Sequence, residues 1–593
     1  MICIRHGTGR ALRAISFLRS SSFSTHQPNA PLDIDESFRT ILQDIGDSVL
    51  DQKLNAPPRV HELTAYPTDS EPVDLTHLDD EPHAPIERKS PAALFGSQRL
   101  GAVVVPQELQ QTISGLISGE NAAMLIDSDK HLLRSDAKRL FNEHGDENKW
   151  NPALNVRYKS YKQAHRHAER DGTAFASIVL PAHYSAIYSV LYRVKSRLGP
   201  QWSVQNVLDW GAGTGSALWA ACYAFQKPSS TDDEDSQAAL SSTAIVKYVG
   251  IEKRSGLVSI GTQLLEDVLH DGLDVSWQRK FQPDNIPQVY DGSSTVAISA
   301  FFLSTLQKPF QRRALIEEIW GSGAETIVLL DHSNPTGFQC IAEARELLLN
   351  LGRIEAENQG SEENQMSGSH VLAPCPHDLG CPIHRSNVGK LVCGFSQRME
   401  RPSFVRLTKH SGVGHEDTGY SYVVIRRGPR PRIPDVKVGR LGEVGRRQLQ
   451  KGTKRAPVEL ELDDAGSLAT TQLADAGVPP EDIAEPCAHG PAEIDSLLKA
   501  ESFHWPRLVF PPLKKSGHVV MDVCAPSGSI LRMTVPKSQG NQPYYDARKS
   551  AWGDTFPHEP KNPPQIRFPQ RQDQVGNDRS TRPSKRTTHS KKS

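Results

Sequence analysis

Ten residues, Val207-Leu-Asp-Trp-Gly-Ala-Gly-Thr-Gly-Ser216, join a short apolar run, three alternating glycines and the start of an apolar helical pattern. Glycine lacks a Cβ, tolerates unusual dihedrals and lets a ligand come close to the backbone. A helix opening behind such a turn offers unpaired N–H groups and the positive end of a dipole. The chemistry this suits is the binding of a polar or anionic cofactor at Asp209, Gly211, Gly213 and Gly215. The spacing is not the dinucleotide fingerprint Gly-x-Gly-x-x-Gly, because Ser216 stands in its last position. An acid closing the next strand commonly binds ribose hydroxyls about twenty residues further on. Glu252, at the end of Lys247-Tyr-Val-Gly-Ile-Glu252, is the candidate, and the acidic insertion around Thr231-Asp-Asp-Glu-Asp235 accounts for the longer gap.

A second set of reactive side chains is made of thiols. Cys375, Cys381 and Cys393 fall close together, and the first two are followed by proline. Thiolates bind soft metals, and a turn-rich loop lets several of them point inward. The spacing differs from the Cys-x-x-Cys of common zinc ribbons. A fourth ligand has to come from His377, His384, Cys487 or Cys524. An iron–sulfur cluster, a zinc site and a set of unrelated free thiols are the three readings. Eight cysteines in 593 residues do not describe a disulfide scaffold.

These groups need a scaffold, and the surrounding pattern supplies one. Strand-like runs at Val207–Trp210, Lys247–Ile251, Thr295–Ser304 and Thr326–Asp331 alternate with helical patterns at Ser216 onward, Leu257–Leu269, Gln311–Trp320 and Ile341–Leu351. Gly419–Arg427 closes the series as a further strand. Such alternation predicts a doubly wound, mostly parallel α/β sheet with ligands at the carboxyl ends of its strands. Asp209, Glu252, Ser299–Phe302 and Asp331 then share one rim. Val105–Ile117 and Pro181–Val194 have helical spacing, with Tyr184, Tyr188 and Tyr192 on one face as expected core packing. Gly517–Val535 predicts two strands joined by a Pro-Ser-Gly turn, with Cys524 just before it.

The remainder is punctuated by charge. The formal net charge is −1, yet acidic and basic stretches are segregated, and a hydrophobic content of 37% is low for a wholly packed chain. Residues 1–30 carry four arginines and no acid, as a mitochondrial transit peptide does. Residues 31–90 form an acidic, proline-rich linker with a short helix near Ser37–Leu50, and 91–200 a helical region. The cofactor domain with its cysteine loop spans 201–430. Residues 431–500 are basic and then acidic linker with a short helix within 456–500, 501–560 a small β-rich unit, and 561–593 a basic tail. The run from Arg426 to Arg455 has the density of phosphate contacts. Aromatic and basic residues mix between Pro536 and Asp554 as on RNA-binding surfaces. No run of about eighteen apolar residues exists, so no membrane span is expected.

The glycine turn resembles the first motif of class I S-adenosylmethionine-dependent methyltransferases. Taken with Pro374-Cys-Pro-His-Asp378, Cys393-Gly-Phe-Ser-Gln-Arg398 and Asp546-Ala-Arg-Lys-Ser550 followed by Trp552-Gly-Asp554, the chain resembles the mitochondrial methyltransferase-like assembly factors of the small ribosomal subunit, in their fungal branch. The resemblance covers about residues 95–560. It implies a class I methyltransferase fold and a [4Fe–4S] cluster carried onto Cys375, Cys381, Cys393 and Cys524, with zinc as the alternative metal. It also implies S-adenosylmethionine as candidate ligand of Asp209, Gly211, Gly213, Gly215 and Glu252. The implied partners are small-subunit rRNA and ribosomal proteins of the assembling particle, bound by a monomer in the mitochondrial matrix with no membrane contact. The family is understood to have kept the fold and lost catalysis.

The residues at the catalytic rim agree with that loss. Methyl transfer depends on holding an acceptor against the activated methyl. For base nitrogens this is commonly done by an Asn/Asp-Pro-Pro-aromatic loop after the fourth strand, where this chain reads Ala300-Phe-Phe-Leu-Ser304. Asn334-Pro335 follows the next strand instead, in Asp331-His-Ser-Asn-Pro-Thr-Gly-Phe338, which departs from the family's Glu-x-Gly-Thr-Pro-x-Gly-Phe. A non-catalytic rRNA-binding assembly factor is the leading expectation and an active rRNA methyltransferase the alternative. A radical enzyme is disfavoured, since the Cys-x3-Cys-x2-Cys triad is absent.

Overall fold

A computed structural model describes residues 88–97, 100–118, 172–227, 238–270, 272–282, 294–359, 368–386, 391–409, 413–453 and 491–567. The transit-type segment, the helix expected near Ser37–Leu50, Cys487 and most of the basic tail lie outside these residues.

Two short helices, α1 (Pro91–Phe95) and α2 (Gln107–Ser118), precede a long one, α3 (Leu180–Leu198), whose first turns, Phe175–Val179, are π-helical. The sheet then winds through β1 (Val204–Trp210), α4 (Ser216–Ala224), β2 (Lys247–Ile251), α5 (Ser255–Glu266), β3 (Asp274–Gln278), β4 (Ser294–Ala300), α6 (Pro309–Gly321), β5 (Thr326–His332) and α7 (Pro335–Gln359). It ends with β6 (Ser369–Ala373), β7 (Phe395–Glu400), α8 (Ser403–Lys409) and β8 (His415–Arg427). The strand order is β3-β2-β1-β4-β5-β8-β6, with β7 paired to β8. The first five strands are parallel and β8 enters antiparallel beside β5. A parallel block closed by one antiparallel strand, with the crossover between β1 and β4, is the class I methyltransferase fold.

The periodicity of each segment explains its place. β1, β2, β4 and β5 are buried along nearly their whole length because helices cover both faces. On one face α3 and α4 pack Leu180, Ile187, Leu191, Trp219 and Tyr248 into the larger core. On the other, α6 and α7 pack Ile316, Ile319, Ile341 and Leu348 against Trp210 and Leu329. Fully burying one such aliphatic side chain contributes about 1.5–3 kcal/mol. The helix Gly172–Leu198 is long and apolar enough to cross a membrane by length and composition, but 89% of its apolar window is buried inside this core. Its Tyr184–Tyr188–Tyr192 ladder is stacked and runs from buried to exposed, so only its inner end packs as core. Gly199, at φ +82°, ends the helix in a conformation that suits glycine.

The chain continues through α9 (Glu443–Thr453) and α10 (Pro491–Ser502) into a five-stranded sheet of β9 (Arg507–Leu508), β10 (Leu513–Lys514), β11 (His518–Cys524), β12 (Ile530–Pro536) and β13 (Gln565–Arg567). Helix α11 (Asn541–Lys549) covers its inner face. The β11/β12 register pairs Val519 with Val535, Met521 with Met533 and Val523 with Leu531 on that inner face, and it leaves Cys524 and Ile530 on the opposite one.

Two segments read differently in sequence and in structure. Residues 431–453, expected as linker, carry helix α9, whereas the short helix expected within 456–500 is present as α10. Residues 88–97, at the head of the expected helical region, pack on the small C-terminal sheet: Ala92 N–H donates to Gly439 O and Thr555 N–H to Gly96 O, both at 2.9 Å. The reason is a buried carboxylate. Asp546 accepts from the Ser90 hydroxyl at 2.7 Å, the Ser90 N–H at 3.2 Å and Gln542 at 2.9 Å, and lies 2.7 Å from His558 Nε2. The Asp-Ala-Arg-Lys-Ser motif therefore begins with a structural clamp. Asp546→Ala is expected to lower stability by about 3 kcal/mol, since buried hydrogen bonds to a charged group are the strong ones. Thermal unfolding beside Arg548→Ala, which should leave the midpoint unchanged, checks this.

Candidate functional site

The glycine turn forms as expected, with Gly211, Gly213 and Gly215 at φ +79°, +60° and +91°. The turn lies at the carboxyl end of β1, and α4 starts directly behind it. Gly213 N–H donates to Glu252 Oε2 at 3.1 Å, so the two predicted cofactor elements do meet. The other contacts of Glu252 are internal. Arg254 grips both of its oxygens at 2.9 Å and adds its backbone N–H at 3.0 Å. Burial alone would push the Glu252 carboxyl up, but the Arg254 fork and the Gly213 N–H hold it below the usual carboxylate range. Asp209, 2% exposed, accepts from Tyr248 Oη at 2.7 Å. Burial pushes its carboxyl up to about 7, against the Tyr248 hydrogen bond and with help from Glu252.

Chain aromatics occupy the space that glycine opens. A Cβ on Gly211 would stand 2.4 Å from Phe302 Cγ, and one on Gly213 would stand 3.0 Å from Phe175 Cζ. Phe301 has φ +55°, the only positive φ outside glycine among the described residues, and its ring stacks on His183 at 3.9 Å between centroids. The loop after β4 is thus an aromatic wall. Its nearest hydroxyl, Ser304, is engaged: Asp331 accepts from the Ser304 hydroxyl at 2.7 Å and from its N–H at 2.8 Å. The Asn334-Pro335 motif is a helix cap. Asn334 Oδ1 accepts from Gly337 N–H at 2.7 Å, and Pro335 opens α7.

Three buried polar atoms along the same rim have no partner: Thr214 Oγ1, Ser216 Oγ and Gln278 Oε1. Thr214 and Ser216 sit at the N-terminus of α4, where a carboxylate would be stabilised, and Gln278 ends β3 beside Ile251. Thr214 and Ser216 fit the amino-acid end of a zwitterionic ligand such as S-adenosylmethionine and Gln278 a polar group further along it, whereas the acid that would hold its ribose is taken by Arg254. No polar side chain read from the sequence pointed to Thr214, Ser216 or Gln278, although hydroxyls flanking a glycine turn could have.

The second site gathers thiols from two parts of the chain. Cys375, Cys381 and Cys393 belong to the loops around β6 and β7, and Cys524 ends β11 in the C-terminal sheet. Cys524 and Ile530, on the outer face of that sheet, pack with Phe338, Ala342, Ile383, Cys381 and Cys393. Cys381, Cys393 and Cys524 each lie within electrostatic reach of Cys375. Burial, then the neighbouring Cys375 and Cys393, pushes the Cys381 thiol up to about 12. Cys393 and Cys524 are raised as well, burial being the largest cause, while Arg507 opposes it. Arg507 Nη2 donates to Cys393 Sγ at 3.0 Å, and His377 Nε2 lies 3.3 Å from Cys524 Sγ. His377 thus stands behind Cys524 as a hydrogen-bond partner; burial and then Arg345 bring its pKa down to about 4. His384 instead faces the Phe338 ring, 6.3 Å between centroids. Among the described residues no three His, Cys, Asp or Glu side chains are arranged to hold a single metal ion.

Four arginines of the basic run, Arg426, Arg427, Arg430 and Arg440, are turned inward, against their reading as phosphate contacts, while Arg432, Arg446 and Arg447 stay exposed. Arg426 pairs with Glu325 at 2.8 Å, Arg427 with Glu355 at 2.7 Å and Arg430 with Asp378 at 2.7 Å. Arg427 also lies over the Trp320 ring, and Arg440 pairs with Glu501. Their carboxylate partners are far off in sequence, so the sequence pattern could not show that they are neutralised.

The family described as "Mitochondrial small ribosomal subunit Rsm22" matches residues 169–557. The chain belongs to the Rsm22 family. The match spans the sheet, the cysteine loops and the C-terminal unit together. Relatives include the mitochondrial Rsm22-cox11 tandem protein 2 of Schizosaccharomyces pombe, 26% identical over 64% of this chain and 42% of that one. Two others are named mitochondrial ribosome assembly proteins. RSM22 of Saccharomyces cerevisiae is 27% identical over 39% of this chain and 38% of its own length. Human METTL17 is 22% identical over 64% and 60%. The chain thus spans less than two thirds of each of these relatives. The mitochondrial localisation expected from residues 1–30 agrees with the family and with all three names. Among solved structures, the plantazolicin methyltransferase BpumL in complex with SAH is 10% identical over 54% of this chain and 99% of that one, with TM-score 0.20. YcgJ from Bacillus subtilis is 9% identical over 41% and 99%, with TM-score 0.21.

Asp209 gives a pH test of the rim in this Rsm22-family chain. Its folded-state pKa near 7 exceeds the unfolded value of 3.8, so the folded state holds a proton that the unfolded state releases. Stability therefore falls as pH rises from about 4 to about 7. Asp209→Asn keeps an acceptor for Tyr248 and removes the penalty. The variant is expected to gain roughly 4 kcal/mol over the parent at pH 8, with the gain vanishing towards pH 4. Chemical denaturation at the two pH values measures it; a constant difference would contradict the assignment.

Proposed function

We propose that this chain is an assembly factor of the mitochondrial small ribosomal subunit that binds small-subunit rRNA through a non-catalytic methyltransferase fold carrying a [4Fe–4S] cluster. The reading is carried by the joint match of fold, cysteine loops and C-terminal unit to the Rsm22 family. The aromatic wall over Gly211 and Gly213 and the engagement of Ser304 by Asp331 leave the loop after β4 without a polar group to orient an acceptor. S-adenosylmethionine, when bound, would supply an activated methyl group. Thr214 and Ser216 would hold its carboxylate end and Gln278 its far end.

The cluster assignment draws on the buried charge at the thiols. Arg507 is 2% exposed, and a buried guanidinium requires compensating negative charge. Four thiolates on an iron–sulfur core would provide that charge, and hydrogen bonds such as those from Arg507 and His377 tune such clusters. A four-iron core is bulkier than one ion, which suits ligands drawn from separate loops and a second sheet better than a zinc ion with its short Zn–S bonds of about 2.3 Å.

Anaerobic purification is expected to yield about four iron and four sulfide per chain, with Cys393→Ser and Cys524→Ser both losing iron and lowering the unfolding temperature. One zinc without sulfide would defeat the cluster. Thr214→Val should leave small-subunit assembly intact in cells that depend on the protein. A methylated rRNA nucleotide that disappears in this variant while assembly proceeds would instead establish the active-methyltransferase alternative.

A further inference from the structure

With Arg426, Arg427, Arg430 and Arg440 paired inside the fold, a denser group of exposed cations lies on the C-terminal unit. At the end of the C-terminal sheet remote from Cys524, the β10–β11 turn exposes Lys515, the segment after β12 exposes Lys537, and the last turn of α11 exposes Arg548 and Lys549. Contacts hold these three segments together. Tyr544 Oη donates to Ser516 O at 2.7 Å, Lys537 N–H donates to Gly517 O at 2.9 Å, and Arg548 Nη1 donates to Tyr544 Oη at 3.3 Å. Arg548 and Lys549 lie over the half-buried rings of Tyr544 and Tyr545, each 5.8 Å from the centroid.

The acids of the unit do not cancel this charge. Asp522 is forked by Arg532 at 2.7 Å, Asp546 is buried in its clamp, Asp554 is buried, and Glu559 pairs with Lys437 at 2.9 Å. Past Arg567 the sequence adds seven Lys/Arg against two Asp. Clustered cations held rigidly beside tyrosine rings match the needs of a single-stranded polynucleotide, in which phosphates repeat along the backbone and unstacked bases present π-faces.

We propose that Lys515 in the β10–β11 turn, Lys537 and the Arg548–Lys549 end of α11 form the surface that grips single-stranded rRNA, with Tyr544 as the positioning residue that holds the turn to the helix. The proposal rests on the rRNA-binding reading above and places the contact on the C-terminal unit rather than on the arginines that follow β8.

The test uses the full cluster-loaded chain and a short, mixed-sequence, fluorescein-labelled single-stranded RNA, titrated by fluorescence anisotropy across a salt series. The variant Lys515→Glu/Arg548→Glu/Lys549→Glu is expected to bind at least about tenfold more weakly, and its log affinity against log salt should flatten by about 2. A control with the same charge change on α6 and α7, Lys308→Glu/Arg313→Glu/Arg353→Glu, should stay within about twofold of the parent. Equal losses in both variants, or no loss in the first, would overturn the location while leaving rRNA binding intact. A parent chain that binds no RNA would instead remove the reading on which the proposal rests. Competition by polyglutamate as effective as that by unlabelled RNA would assign the surface to acidic polypeptides. Should the first variant fail to fold, amine-reactive footprinting of the parent decides: RNA is expected to shield Lys515 and Lys549, and unchanged labelling of both would overturn the proposal.

Discussion

A guanidinium that cannot reach water governs the seam of this molecule. Arg507 stands at the start of the C-terminal sheet, 2% exposed, over the Phe395 ring and against the sulfur of Cys393. Burial disfavours its charge, and the nearby thiols with Tyr422 favour it strongly enough to raise its pKa. Such a group is stable only when anionic partners close around it. Those partners come from both sides of the seam: Cys375 and Cys393 from the loops of the large sheet, Cys524 from the small one. The C-terminal unit is thereby bound to the methyltransferase domain by chemistry as well as by apolar packing.

The large sheet is a frame whose rim is satisfied mostly from within. The turn has three left-handed glycines, and α4 presents its N-terminus and unpartnered hydroxyls at the rim. Around it, Arg254 holds the carboxylate of Glu252, Phe302 and Phe175 lie against the glycines, and Asp331 holds Ser304. Each of these contacts satisfies internally a group that a substrate or cofactor could otherwise satisfy. A rigid frame with a self-satisfied rim suits a protein whose task is to hold a surface in place.

A second buried charge performs the corresponding task at the other end of the C-terminal unit. Asp546 gathers Ser90, Gln542 and His558, so that a segment more than four hundred residues earlier becomes part of the same small domain. With Arg507 on one side and Asp546 on the other, the five-stranded sheet is fixed in its orientation, and the cations at its free end are presented as a set.

Much of this was legible in the chain. The alternation of apolar strands and amphipathic helices, the glycine turn and the clustered cysteines are local patterns with short periods, and the parallel sheet and the turn follow from them through sterics and burial. The role of Asn334 as a helix cap was equally local, though it was masked by comparison with a catalytic loop. Pairings across long sequence separations were not legible. Nothing in the run from Arg426 to Arg440 shows that Glu325, Glu355, Asp378 and Glu501 will neutralise it, and nothing in Glu252 shows that its neighbour two residues on will fold back to grip it. Periodicity and turn chemistry act through nearest neighbours, so sequence determined the elements and the types of residue available for chemistry. Which charges are spent inside the fold and which remain at the surface depends on where β8, α7 and the C-terminal sheet come to rest, and that was decided by tertiary packing alone.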